Sequence, residues 1–348
     1  MMPEEWPIAA FAADRNAPAR KAGRGRLATV RADFFLDSTE RLTEQERALM
    51  TAMLHCLIGD IADELRAALP AGWTAANDED NGQLVRQLTV VRLLDEAGLM
   101  ILLLRRADEE RIGSAARARS GRREARVLQG LVSHENGAVS AAAMGLILAR
   151  GRRRDRFGQC LVDFDDLPIE TAEALVHSIA AALRQEIAAT RGGAAADGAL
   201  SAAAAQLLAR HDDSKGVDEL IAMLVDLLEE SGEPTDELIL TAGQEGEAAF
   251  VAQVLARRAG IAGALALDEL LSGDAQRVMA LFRVAGFSRE LSAGLLAGVG
   301  DLLGIADPGA AIGIFDSMSR DQVDAAATWL TTSSDYRAAL DMLGGSRG

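Results

Sequence analysis

The chain has 348 residues and a formal net charge of −16; 49% of its residues are hydrophobic but only 4% are aromatic. An acidic total argues against nucleic-acid binding over the whole surface. The longest apolar run, residues 99–104, is far shorter than the roughly 20 residues that a membrane span requires. Two cysteines are too few for a disulfide framework. We expect a cytoplasmic protein without a membrane span, since the acidic N-terminus does not resemble a secretory signal.

The composition predicts an all-α fold. Ala, Leu, Glu and Arg dominate the chain, and all four are strong helix formers. Seven prolines interrupt the sequence, and no stretch alternates β-branched with polar residues for the length of a strand. The charge is uneven, because residues 1–160 hold 24 basic against 22 acidic residues whereas residues 161–348 hold 12 against 30. This asymmetry indicates two regions with different partners.

The N-terminal part begins with residues 1–32, which lack apolar periodicity and are interpreted as a flexible basic arm. A short helix is predicted near residues 33–40. Thr43-Glu-Gln-Glu46 has the pattern of a capping box, in which the threonine hydroxyl and the glutamate carboxylate cap each other's backbone N–H groups. The helix that follows carries apolar residues at spacings of three and four and ends at Pro70-Ala-Gly72, which predicts a long helix over 43–69.

The middle of the chain has several helical segments separated by polar breaks. An amphipathic helix is predicted around 84–91, and residues 105–126, with eight arginines, are expected to be part exposed helix and part loop. Helices are predicted at 123–132 and 138–150. Asp165-Asp-Leu-Pro168 is typical of a helix start, with acids and a proline at the N-terminal end.

The predicted domain boundary lies in the Ala/Gly-rich segment 192–214, taken as a hinge between an N-terminal helical domain, 33–191, and a C-terminal helical-repeat domain, 215–343, followed by a tail, 344–348. Within the hinge, the alanine-rich residues 194–206 are compatible with either a flexible linker or a helix.

The C-terminal region shows short helices punctuated every ten to fifteen residues and a weak internal repeat. Gly246-Glu-Ala248 and Gly273-Asp-Ala275 open two segments whose apolar residues correspond at an offset of 27. Serial short helix pairs predict an irregular α-solenoid of the HEAT type.

Motifs that would indicate catalysis or a cofactor are absent from the sequence. It has no phosphate-binding Gly-x-x-x-x-Gly-Lys loop, no Gly-x-Ser-x-Gly elbow and no His-Glu-x-x-His pair. Acidic clusters such as Asp163, Asp165 and Asp166 are interpreted as solvated loops and helix caps, and Cys56 as a buried structural thiol. We therefore predict no catalytic residues, metal ligands or cofactors.

A cluster of arginines is the local feature that rises above this background. Its members are Arg150, Arg152, Arg153, Arg154 and Arg156. Guanidinium groups suit carboxylates and phosphates, so the cluster is a candidate contact for an acidic partner or an anionic ligand. The alternative is intramolecular, with the arginines capping the carbonyls of helix 138–150 and pairing with the acids at 163–166.

Several segments carry a family resemblance. They are Asp33-Phe-Phe-Leu36, Leu42-Thr-Glu-Gln-Glu-Arg-Ala-Leu49, Ala143-Met-Gly-Leu-Ile-Leu-Ala-Arg150, Arg153-Arg-Asp-Arg-Phe-Gly158, Asp166-Leu-Pro168 with Ala180-Ala-Ala-Leu-Arg184, and Gly273-Asp-Ala-Gln-Arg-Val-Met-Ala-Leu-Phe282. In this order they resemble a bacterial family of helical proteins known as a domain of unknown function and related to HEAT-type repeats. The resemblance implies a helical architecture and a cytoplasmic location, and no reaction.

These observations favour a non-catalytic scaffold or adaptor for protein–protein interaction, with a regulatory or signalling role. The alternative is a sensor of an anionic small ligand, such as a nucleotide second messenger, that uses the arginine cluster. We do not expect nucleic acid to be a partner of this acidic chain. The long apolar stripe of helix 43–69 predicts a homodimer with that helix in the interface.

Overall fold

A computed structural model of the chain describes residues 42–73, 81–90, 94, 96–121, 126–333 and 336–337. Within these residues the structure is all-α, with fifteen α-helices, two short 3-10 helices and one isolated β-bridge, as the composition predicts. The predicted arm at 1–32, the short helix at 33–40 and the tail at 344–348 lie outside the described residues.

The α-helices are, in chain order, α1 (Glu44–Ala67), α2 (Asn81–Val90), α3 (Ala97–Ser120), α4 (Arg126–Leu131), α5 (Gly137–Arg152), α6 (Ile169–Arg191), α7 (Gly193–Leu208), α8 (Val217–Glu230), α9 (Asp236–Gln244), α10 (Ala248–Ala259), α11 (Gly263–Leu270), α12 (Ala275–Val284), α13 (Arg289–Val299), α14 (Pro308–Ser317) and α15 (Arg320–Thr331). The 3-10 helices are Phe164–Asp166 and Asp213–Lys215.

The capping box predicted at the start of α1 is confirmed. The backbone N–H of Thr43 donates to Glu46 at 2.7 Å, and the N–H of Glu46 donates to the Thr43 hydroxyl at 3.2 Å. Two of the backbone donors that every helix start leaves unpaired are thereby satisfied.

The N-terminal core, defined by the buried side chains of residues 53–107 and 162–207, includes the alanine-rich segment. Gly193–Leu208 is a helix that packs on α6, and it buries Leu200 and Leu207 together with several alanines. Of the two alternatives for residues 194–206, the structure therefore shows the helix. Small side chains allow its close approach to α6.

Helix α3 crosses from this core into a second one. Leu99 and Leu103 lie in the N-terminal core, whereas Ile112 lies in the C-terminal core, which is formed by Ile112 and the buried side chains of 127–146 and 217–330. Residues 105–120, expected to be partly loop, are continuous helix that ends at Gly121 with φ 65°. The chain therefore passes between the two cores at three places: within α3, between 146 and 162, and between 207 and 217. The last of these overlaps the predicted hinge at 192–214.

Arginines on α3 connect it to the C-terminal helices. Arg105 forms a bidentate ion pair with Asp268, in which Nε and Nη2 donate to the two carboxylate oxygens at 2.7 and 2.6 Å. Arg119 pairs with Asp301. The Arg111 guanidinium donates to the carbonyl oxygen of Leu302 at 3.1 Å. Much of the basic stretch noted in the sequence is thus engaged with the protein's own acidic half.

The C-terminal helices α8 to α15 stack in series, mainly on neighbours within four positions along the chain, in a HEAT-like arrangement. The repeat seen in the sequence has a structural counterpart. Gly246 and Gly273 both adopt positive φ, at 81° and 70°. The corresponding apolar residues are all buried in α10 and α12: Val251, Val254, Leu255 and Val278, Leu281, Phe282.

No single helix among the described residues has the length and apolarity that a membrane span requires. Helices α10 and α11 would meet these criteria only if they were taken together, but the chain bends by 117° between them. Their buried side chains belong to the C-terminal core.

Candidate functional site

The arginine cluster lies where α5 ends and the chain turns back in a short hairpin, residues 153–161. Arg154 and Cys160 form an antiparallel bridge, and the N–H of Leu161 donates to the carbonyl oxygen of Arg153 at 2.9 Å. Asp155 braces the turn, because its carboxylate accepts from the N–H groups of Phe157 and Gln159 at 2.8 Å each.

The tip of this hairpin presents an arginine and an aromatic ring to solvent. The Phe157 side chain is 75% exposed, and the guanidinium carbon of Arg156 lies 4.7 Å from the centre of its ring. An exposed phenylalanine on a braced turn is uncommon, since burial of such a ring is favourable.

A cleft of about 490 Å³ lies beside the hairpin, between α3, α5 and the start of α10. Arg150, Arg153 and Arg154 line it, whereas Arg152 and Arg156 of the predicted cluster do not. Arg106 and Arg117 complete the set of lining arginines. Sequence reasoning missed these two as site residues, because only the fold brings α3 to the end of α5.

Arg153 is a structural arginine. It is 6% exposed, and its Nε donates to the fully buried carboxylate of Asp166 at 2.7 Å. Its Nη1 and Nη2 donate to the carbonyl oxygens of Ala149 and Lys215. The intramolecular alternative, helix capping and pairing with the acids at 163–166, is therefore what the structure shows for Arg153.

The acids at 163–166 cap helices as predicted, but they are not simply solvated. Asp166 Oδ1 accepts from the N–H of Val217, at the start of α8, at 2.9 Å. Its Oδ2 accepts from the N–H of Asp163, also at 2.9 Å. This carboxylate thus joins the end of α5, the 3-10 turn and α8 at one buried point.

Arg150 and Arg154 are paired at the sides of the cleft. Arg150 donates to Glu247 at 2.6 Å. Burial alone would lower the pKa of the Arg150 guanidinium, but the carboxylates of Glu247 and Glu109 together outweigh it, and the pKa is raised. Arg154 donates to Glu110 at 3.0 Å, and the same carboxylate accepts from Arg117 at 2.7 Å.

Arg106 lies deepest, with 5% of its surface exposed. Its Nη1 contacts Glu109 and Asp218, each at 2.9 Å, whereas its Nη2 is buried without a hydrogen-bond partner. Burial raises the pKa of the Glu109 carboxyl, although the charge of Arg106 opposes that shift.

The cysteines do not supply a ready nucleophile. Cys56 is exposed, so the prediction of a buried thiol is wrong: with about 3.6 residues per turn, it lies on the side of α1 away from the buried Ile58 and Ile61. Cys160 lines the cleft, and burial raises the pKa of its thiol to about 11, so it is protonated at neutral pH. No group of three or more potential metal ligands occurs among the described residues.

Comparison with known protein families gives a match over the C-terminal two thirds of the chain. Residues 114–326 match a family described as an uncharacterised protein conserved in bacteria (DUF2336). A search of curated proteins and a search of solved structures found no match. The matched range covers more than half of the chain and includes the hairpin, the whole of α5 and the start of α10. The chain therefore belongs to this bacterial family.

Proposed function

We propose that the protein is a non-catalytic helical scaffold or adaptor of the cytoplasm that binds another protein through the tip of the 153–161 hairpin. The observation that carries the proposal is the exposed Phe157 ring with Arg156 stacked on it. Aromatic residues and arginine are enriched at the energetic centres of protein interfaces. Such a tip fits a partner that offers an apolar pocket flanked by carboxylates.

Helix α5, which leads into the hairpin, also carries exposed apolar side chains. Met144 and Leu148 are 42% and 57% exposed, and their spacing of four residues places them on one face of the helix. A scaffold also uses many surfaces at once, and the strongly acidic region 161–348 supplies another, of opposite charge to the tip.

The first prediction concerns the tip. With the full chain as bait in a lysate of the encoding bacterium, we expect Phe157→Ala to lose the partner, since a central aromatic contact contributes at least about 2 kcal/mol, roughly 30-fold in affinity. Stability should change by less than about 0.5 kcal/mol, because the ring is exposed. Tyr336→Ala, at another exposed aromatic (58%), is the matched control and should recover the partner normally. Equal recovery by wild type and Phe157→Ala would contradict the proposal.

The homodimer stays a prediction, but the apolar stripe that suggested it is already covered within one chain. Met53, Leu57, Ile58, Ile61 and Leu65, the apolar stripe of α1, pack in the N-terminal core of the same chain. If dimers form, sedimentation at micromolar concentration gives a mass of about two chains. A mass of one chain would end the prediction.

A second candidate function is a sensor of an anionic small ligand, favoured by the five arginines that line the cleft. In a thermal-shift panel of nucleotides, a true ligand at 100 times its Kd should stabilise the fold by about 2.7 kcal/mol. Absence of a shift across the panel, with the protein folded, would count against this candidate.

A further inference from the structure

Arg106, one of the residues that line the cleft, has a buried donor without an acceptor. Nη2 of Arg106 has no hydrogen-bond partner, while Nη1 is occupied by Glu109 and Asp218. Buried polar groups in native proteins nearly always have a partner, and a guanidinium N–H without one is costly. An acceptor supplied by a ligand would remove that cost.

The start of α10 offers further donors to the same cleft. Ala248 and Ala249, its first two residues, line the cleft. Glu247 occupies the N-cap position but makes no side-chain cap, because its carboxylate is engaged by Arg150. The first turn contains no acidic residue either. Its N–H groups therefore lie at the positive end of the helix without a side-chain acceptor.

Together these donors select the chemistry of the ligand. Oxyanions bind where helix N-termini and guanidinium groups converge. A phosphate has more acceptor oxygens than a carboxylate and can serve both the Arg106 fork and the first turn of α10. The cleft, at about 490 Å³, is of the size that holds small organic molecules, and Leu128 and Ile147 provide apolar walls.

We propose that the cleft binds a small phosphorylated organic molecule, whose phosphate oxygens accept hydrogen bonds from Arg106 Nη2 and from the first-turn N–H groups of α10. Its organic part lies against Leu128 and Ile147. This proposal rests on the second candidate function and is independent of the interaction through the hairpin tip.

The test is isothermal titration calorimetry of the full chain with pyrophosphate, at ionic strength held constant with sodium chloride. Arg106→Lys keeps a positive charge toward Glu109 and Asp218 but removes the second arm of the guanidinium fork. Ala248→Pro deletes one N–H at the first helical position, where proline is compatible with the helix. Each variant should weaken pyrophosphate binding by about tenfold or more, because charge-assisted hydrogen bonds are lost.

Arg320→Pro is the matched control, since Arg320 is the exposed first residue of α15, and it should bind as wild type does. Circular dichroism checks that each variant is folded. If Arg106→Lys does not fold, Ala248→Pro still tests the proposal. The proposal is overturned if the wild type shows no saturable binding, or if a folded Ala248→Pro variant binds unchanged. If succinate binds with the same affinity as pyrophosphate, the site does not select phosphate and the proposal is wrong. If a nucleotide stabilises both variants as much as it stabilises the wild type, the proposed phosphate subsite is wrong, but the second candidate function is not contradicted.

Discussion

Replacing Arg153 by alanine should destabilise the protein by about 3–5 kcal/mol, the range observed when one partner of a buried ion pair is removed. The Asp166 carboxylate is fully buried and would lose its guanidinium partner. The carbonyl oxygens of Ala149 and Lys215 would each lose a donor as well. Urea unfolding, followed by circular dichroism, measures the change in the free energy of unfolding.

Arg152→Ala is the matched control for Arg153→Ala. Arg152 is the neighbouring residue and is exposed, so its replacement should change stability by no more than about 0.5 kcal/mol. Both variants remove one positive charge from the same turn. A difference in their free energy of unfolding therefore measures the buried ion pair and hydrogen bonds of Arg153. Similar unfolding curves for the two would show that Arg153 is not the structural arginine described above.

Replacing Gly246 by alanine should destabilise the protein by about 2–5 kcal/mol, the sum of a left-handed backbone penalty and of overpacking against backbone. Gly246 has φ 81°, and a Cβ there would lie 2.8 Å from the Cα of Gly113 and 3.0 Å from the carbonyl oxygen of Ile112. The contact is between a loop and α3, so neither side can move aside without shifting main chain.

Gly260→Ala separates the two contributions. Gly260 also has positive φ, 68°, but a Cβ there would meet nothing within 4 Å. We therefore expect a loss of only about 1–2 kcal/mol, the backbone penalty alone. If Gly246→Ala is no worse than Gly260→Ala in thermal and urea unfolding, the close approach of α3 to the Gly246 turn is not important for stability.

The sequence alone showed that the chain is helical and located several of the helices and some of their ends. The all-α class follows from helix propensity and from apolar spacing, which are local properties. The capping box at Thr43 and Glu46 and the repeated turns at Gly246 and Gly273 were predicted for the same reason, since both depend on residues within a few positions of each other.

The arginine cluster was also evident from the sequence, but the role of its members was not. Arg153 and Arg152 are adjacent and of the same type, yet one is buried against Asp166 and the other is exposed. Local sequence does not distinguish them, because burial depends on which helix packs over each side chain. The sequence likewise predicts the acids at 163–166 as solvated loops and helix caps, and only the structure shows that the Asp166 carboxylate is fully buried.

The chain's composition and periodicity by themselves determined that it folds into helices, where several of these begin, and which of their faces are apolar. Only the tertiary structure decided that α3 passes through both cores and brings Arg106 and Arg117 to the end of α5 and the start of α10. The physical reason is range: propensity and capping act within a turn or two of helix. The cleft, by contrast, depends on contacts such as Arg150 with Glu247, which are 97 residues apart in the chain.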